Sequence, residues 1–323
     1  MTSVLETNEA AHPNLLSPGR GPVPPRTTWS IWLQAVRPFS FTASIVPILV
    51  ASALAYADDT FQFSLALLML IASVACHAGS NLANDYNDHI RGVDTAASLG
   101  PSLVIQQGHL SPAAVRRGMF VAFAIAICLG LIVVSRSGVI ILMLALLSLA
   151  AAYLYTGGPR PLAYIALGEV TVFFAMGVGM VVGAYIVMAG EVTPQAFLVS
   201  IPIASLVAAI LHANNIRDIE LDLTGAKRTL ANQFGRRFAN REYAVLVVAA
   251  YVATALLIAT SVDLWPSVLV ILSLPLAIRL IRLARRATEP QALNALLRQT
   301  AGLHLRFGLL LTLGLICSRF IDR

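Results

Sequence analysis

Apolar residues in this chain come in long unbroken runs, not in alternating patterns or narrow helical stripes. Nine runs stand out, at about 39–57, 62–84, 113–135, 138–155, 165–188, 194–214, 242–262, 265–283 and 299–318. Each comes close to the roughly 20 residues a helix needs to cross the hydrocarbon of a bilayer. A period of two, the mark of a membrane barrel, is missing from them. The pattern predicts an all-α fold: a polytopic bundle of nine transmembrane helices. Residues 1–28 contain Pro13, Pro18, Pro22, Pro24 and Pro25 among small and polar residues and predict a disordered tail. The bundle domain is then 29–323, with Trp29 and Trp32 ahead of Arg37-Pro38 as an interfacial anchor into the first span.

Composition agrees with that class. Of the 323 residues 58% are hydrophobic and only 12% charged, and the mean hydropathy is +0.78, too little polar surface for a soluble domain. A net charge of +6 would suit a nucleic-acid binder, but the basic residues flank the apolar runs, and no nucleic acid is expected. If the tail and the loops after spans two, four, six and eight share one side, that side holds all 22 basic residues except Arg136, Arg319 and Arg323. The positive-inside rule then puts the N-terminus in the cytoplasm and the C-terminus outside, in the cell (inner) membrane. Cys76, Cys128 and Cys317 show no CxxC or Cys/His spacing and read as packing residues.

Two polar clusters interrupt the apolar chain, both at the expected cytoplasmic ends of spans. The first follows span two: Asn81, Asn84, Asp85 and Asp88 at helical spacing, continuing to Gly92 and Asp94. The second follows span six: Asn214, Asn215, Arg217, Asp218 and Asp222, continuing to Lys227 and Arg228. One aspartate at a membrane surface would be an ordinary solvated cap. Two clusters at the same side and helical phase, close to lipid, call for a cation between the carboxylates. Carboxylate and amide oxygens without His or Cys suit a hard ion such as Mg²⁺, which binds through a few carboxylates and substrate phosphates. The arrangement could grip a diphosphate through Mg²⁺, with Arg160, Arg217, Lys227 and Arg228 taking the remaining phosphate charge. The shared layout suggests an old internal duplication.

At these residues the chain resembles the UbiA superfamily of intramembrane prenyltransferases, and within it the 1,4-dihydroxy-2-naphthoate prenyltransferases of menaquinone biosynthesis. Asn81, Asn84, Asp85, Asp88, Gly92 and Asp94 match NxxNDxxDxxxGxD; GPSLVIQQGHLSP, from Gly100 to Pro112, resembles the block that follows. YTGGPRPLAY, from Tyr155 to Tyr164, resembles a third block, and Asn214 to Ala231 a fourth. Leu103 stands where a basic residue is expected, Phe39 where Lys or Arg is common, and Ala226 where the family has Gly.

The resemblance implies nine helices around a central cavity, with the acidic motifs above it. Asp85, Asp88, Asp218 and Asp222 would anchor Mg²⁺, and Asn81, Asn84 and Asn214 would orient phosphate oxygens or the metal's waters. Arg160 and Lys227 would offset charge on the leaving diphosphate, and Tyr155 would stabilise an allylic cation or orient the acceptor. The partners would be a polyprenyl diphosphate donor reaching the site from the lipid bilayer and an aromatic acceptor: dihydroxynaphthoate or another ring such as a quinolone or 4-hydroxybenzoate. His77 and His212 are expected to be polar packing residues. Glu169 is an acid without an evident partner. The competing class is a membrane transporter, because polar residues on spanning helices commonly line ion or substrate pathways.

Overall fold

The computed structural model describes residues 27–92, 102–224 and 227–321. The proline-rich tail up to residue 26, Asp94, Gly100, Gly225 and Ala226 lie outside the described residues.

The described residues are helical throughout, apart from loops and one isolated bridge between Ile165 and Arg228. Helix α1 (Thr28–Val36) is capped by the Thr27 hydroxyl, which accepts from the Ser30 N–H, and stops at Arg37 in the left-handed region (φ 55°). A tight turn at Pro38–Phe41 leads into α2 (Thr42–Ala57), followed by α3 (Phe63–Ile90), α4 (Pro112–Ser137) and α5 (Val139–Leu154). The next span, Gly168–Ala189, consists of α6 (Gly168–Val172), a π-helical stretch (Phe173–Gly179) and α7 (Met180–Ala189). Then come α8 (Pro194–Arg217), short α9 (Ile219–Thr224), α10 (Leu230–Thr260, kinked at Gly235), α11 (Leu274–Arg286) after a 3₁₀ stretch, and α12 (Pro290–Ser318).

Among the described residues eight helices are long and apolar enough to cross a membrane, and α5 is a shorter apolar helix. Cross-connections show that α5 crosses too. One side of the bundle joins Arg37 to Asp85, Arg91 to Gly158, Tyr164 to Asp88 and Arg236 to Ala287. The other joins Gln62 to Met188, Tyr185 to Asp58 and Arg319 to Asp59. The end of α5 must return to the first side for Tyr164 to reach Asp88. Among the described residues nine crossings result, so the start of α1 and the end of α12 lie on opposite sides.

Burial sets the order of layers. Of the apolar stretch of α8, 78% is buried, against 17% for α3 and α4. Helix α8 is therefore the axis, and α3 and α4 form an outer wall. Close helix approach depends on small residues: a side chain on Gly177 would collide with Ala204 of α8, and one on Gly308 with Val46 of α2.

Candidate functional site

The first polar cluster lies inside α3, not after it. The helix continues past the expected end of the apolar run to Ile90, making 28 residues or about 42 Å, so its last turns project beyond a hydrocarbon layer of about 30 Å. Asn81 Nδ2 donates to the Val36 carbonyl (2.8 Å) and to Ser40 Oγ (3.1 Å). Asp85 is paired with the Arg37 guanidinium and accepts from the Ser102 hydroxyl. Asp88 accepts from the Tyr164 hydroxyl at 2.5 Å. Both carboxylates are buried. Arg37 holds a left-handed backbone conformation, a strain of about 1–3 kcal/mol that its pairing with Asp85 helps to maintain.

The second cluster straddles a break. Helix α8 ends at Arg217, Asp218 is non-helical (φ −99°, ψ 11°), and α9 begins at Ile219. The Asp222 N–H still donates to the Asp218 carbonyl (2.8 Å), so the two side chains stay one turn apart. Arg217 donates through Nε and Nη2 to both Asp218 oxygens (2.7 and 2.6 Å) and also reaches Asn214 Oδ1 (3.0 Å) and Asn294 Oδ1 (3.3 Å). Lys227 Nζ lies 3.4 Å from Asp222 Oδ1. Burial alone would lower the Lys227 pKa, but the carboxylates of Asp222, Asp88 and Asp218 raise it, and the ammonium is retained. Burial pushes the Asp222 carboxyl up to about 7; Lys227 pulls against this, and Asp218 and Asp88 add to it.

Tyr164 joins the clusters. Its hydroxyl is on Asp88, the Arg91 guanidinium lies 5.1 Å from its ring centroid, and Lys227 Nζ lies 5.9 Å from it. Burial and then Asp88 raise its phenol above the ordinary value, so the hydroxyl remains a donor. The loops carrying these residues are stitched by backbone: Arg228 N–H to the Tyr164 carbonyl (3.2 Å) and Ala166 N–H to the Arg228 carbonyl (2.8 Å).

Below the carboxylates lies a cavity of about 480 Å³. Asn81, Asn84, Tyr155, Asn214, Asn215 and Lys227 form its polar end, and its walls are apolar. On α3 the lining runs from Asn84 back to Met69, a rise of about 22 Å. Ile127 and Leu131 of α4 and Leu146 of α5 line the cavity and are well exposed, so the chamber is open on the side of these two helices.

The residues picked out by sequence divide accordingly. The two aspartate pairs sit at one end of the bundle, within electrostatic reach of each other across Lys227. Arg217 is turned onto protein acceptors, while Arg160 and Arg228 have exposed side chains and do not line the cavity. Glu169, whose partner was not evident in the sequence, is buried, lies 2.9 Å from His212 Nδ1 through Oε1 and accepts from Asn215 Nδ2 (2.8 Å). His77 packs through hydrogen bonds to Ser40 and Ser44. Sequence reasoning missed Arg37 as the partner of Asp85, Ser102 as its second donor, and Tyr164 as the bridge. Phe39 lines the cavity, and the Arg298 guanidinium of α12 sits 5.6 Å from its ring centroid, bringing a cation to a position where the motif lacks one.

The pattern of the UbiA prenyltransferase family matches residues 44–303, most of the chain. The chain belongs to this family. It is 34% identical over 310 residues to the 1,4-dihydroxy-2-naphthoate octaprenyltransferase of Bacillus subtilis (strain 168), covering 95% of this chain and 99% of that one. The enzyme of the same description from Escherichia coli (strain K12) is 32% identical over 296 residues, covering 90% and 96%. In fold the chain is similar to a UbiA homologue from Archaeoglobus fulgidus bound to GPP and Mg²⁺, with a TM-score of 0.58 at 16% identity, covering 87% of this chain and 99% of that one. Family membership makes the protein a multi-pass membrane prenyltransferase.

The donor set suits a hard divalent ion: four carboxylates on two facing helix ends, without sulfur or imidazole among them. Asp222 Oδ2 is buried and has no hydrogen-bond partner among the described residues, an orphaned oxygen of the kind a cation would satisfy.

Proposed function

We propose that the protein transfers a polyprenyl chain from its diphosphate to 1,4-dihydroxy-2-naphthoate, with loss of the ring carboxylate as CO₂, in menaquinone biosynthesis. The observation that carries this reading is the pair of aspartate motifs above a deep apolar chamber open to the side. The naphthoate assignment is supported by 30–34% identity to proteins of that description in four bacteria.

Asp85, Asp88, Asp218 and Asp222 would hold Mg²⁺, which when bound offsets the charge of the diphosphate. Lys227, among three of these carboxylates, is placed to turn its ammonium toward the leaving group as charge develops. Tyr155 lines the chamber just below, within reach of the fields of Glu169, Asp88 and Asp222, where its ring can face the allylic carbon. Apolar walls keep water from that carbon until the electron-rich ring attacks. The prenyl tail enters and leaves through the gap between α4 and α5, because each buried CH₂ favours lipid over water by about 0.8 kcal/mol. The charge distribution of the loops supports an N-terminus in the cytoplasm of a cell (inner) membrane.

The test is incubation of the purified protein in lipid nanodiscs with dihydroxynaphthoate, prenyl diphosphates of graded length and Mg²⁺, with products identified by mass spectrometry. Prenylated, decarboxylated naphthoquinol and released diphosphate are expected, and both should vanish with EDTA. Diphosphate release that depends on another aromatic ring and not on the naphthoate would remove the acceptor assignment.

A further inference from the structure

Outside the aspartate motifs, one cluster of titratable side chains lies next to the cavity. Glu169 of α6, His212 of α8 and Glu242 of α10 place a ligand-capable atom each within 4.8 Å of one another. His212 is fully buried. Its Nδ1 lies 2.9 Å from Glu169 Oε1, and its Nε2 lies 2.9 Å from the Ala239 carbonyl and 3.7 Å from Glu242 Oε2. A backbone carbonyl only accepts, so Nε2 carries a proton. A second proton must lie on the line between Nδ1 and Oε1, since two bare lone pairs at that distance would repel. Among the described ion pairs neither glutamate meets an Arg or Lys, which leaves the imidazole as their shared counter-charge.

The same Glu169 Oε1 also accepts from Asn215 Nδ2 at 2.8 Å. The one proton this oxygen could carry is already directed at His212, so toward Asn215 it can only accept. The amide is thereby fixed with its NH₂ on Glu169 and its carbonyl turned away. Asn215 lines the cavity. Asn214, by contrast, spends its oxygen on Arg217 and its nitrogen on Asp218. Diphosphate oxygens accept hydrogen bonds and have no use for a carbonyl, and the four aspartates already supply oxygens for a cation; a phenolic hydroxyl donates to a carbonyl.

We infer that Glu169 and His212 act as positioning residues that present the Asn215 carbonyl to the cavity, and that this carbonyl selects a hydroxyl of the aromatic acceptor. The inference deepens, and rests on, the reading of the cavity as a prenyl-transfer chamber. It also separates Asn215 from its neighbour Asn214, whose amide belongs to the second aspartate motif.

The test is direct calorimetric binding of 4-hydroxy-2-naphthoate and its 4-methoxy counterpart to the nanodisc protein, which needs no turnover. The wild type should favour the hydroxyl by about tenfold, the worth of one hydrogen bond. In Asn215→Ala the ratio should fall to near one while affinity for the prenyl diphosphate is kept. In Glu169→Gln, where the amide is free to turn over, the ratio should fall part of the way. If the alanine protein cannot be recovered folded, Asn215→Leu, similar in size and without an acceptor, carries the same comparison. An unchanged ratio in these variants overturns the inference, as does weakened diphosphate or Mg²⁺ affinity with the ratio intact, or a wild type that binds neither compound. One-to-one Zn²⁺ binding that disappears in His212→Gln would assign the cluster to a metal and overturn the proton argument. Failure of prenyl transfer with these binding results intact would count against the proposed reaction alone.

Discussion

The two acidic motifs meet around Tyr164 and Lys227 but are built differently. On α3 each carboxylate is met by a group distant in sequence: Arg37 from before α2, Ser102 from the segment ahead of α4, and Tyr164 from the loop after α5. At the α8–α9 break the partners are close neighbours: Arg217 and Asn214 for Asp218, and Lys227 for Asp222. The second motif draws its carboxylate partners from within five residues in sequence. The first exists only once several helices have come together. Half of the site is thus a reporter of tertiary assembly, and the other half pairs its carboxylates locally and is then tied in through Asn294 and Tyr164.

Neutralising either motif tests whether both serve one ion cluster. Asp88→Asn and Asp218→Asn should each lower turnover by roughly 100-fold or more, the scale seen when one preorganised electrostatic contact is lost. Both should remain folded, since an amide oxygen can still accept from Tyr164 or Arg217. Turnover close to wild type in one of them would make the motifs functionally unequal as well as differently built.

Arg37→Ala probes the dependence of the first motif on remote partners. It leaves the buried Asp85 carboxylate with Ser102 alone, at a cost of roughly 3–5 kcal/mol. The thermal unfolding midpoint in detergent should drop, and added Mg²⁺ should recover part of the loss. An unchanged midpoint would mean that α3 holds its carboxylates without tertiary help.

The smallest effect belongs to the second motif. With its pKa pushed up to about 7, Asp222 holds its proton below that pH and is ionised above it. A divalent ion has to displace that proton, so Mg²⁺ affinity should tighten as pH rises toward 7 and level off beyond. Calorimetric titrations between pH 6 and 8 would show the rise in the wild type and a flatter curve in Asp222→Asn. A flat wild-type curve would mean Asp222 is already ionised throughout.

The nine crossings were legible because a spanning helix must be apolar along its whole length, a demand that no packing detail can hide. The acidic residues were legible for the complementary reason: charge is costly near lipid and stands out. What stayed hidden was pairing. Arg37 carries the same letter as an interfacial anchor, and nothing in its spacing points to Asp85, 48 residues on. Glu169 and His212 lie 43 residues apart on different spans and meet only after α6 packs on α8. Arg160 and Arg228 sit in motif blocks yet point to solvent, since a block fixes backbone course more firmly than the reach of a long side chain.

The peptide stitch between Tyr164–Ala166 and Arg228 leaves a mark on how the molecule can change over time. A residue gained or lost on either strand of that seam would unzip it and carry Tyr164 away from Lys227. The two loops must therefore keep their lengths in concert and drift as one unit, although more than 60 residues separate them in sequence.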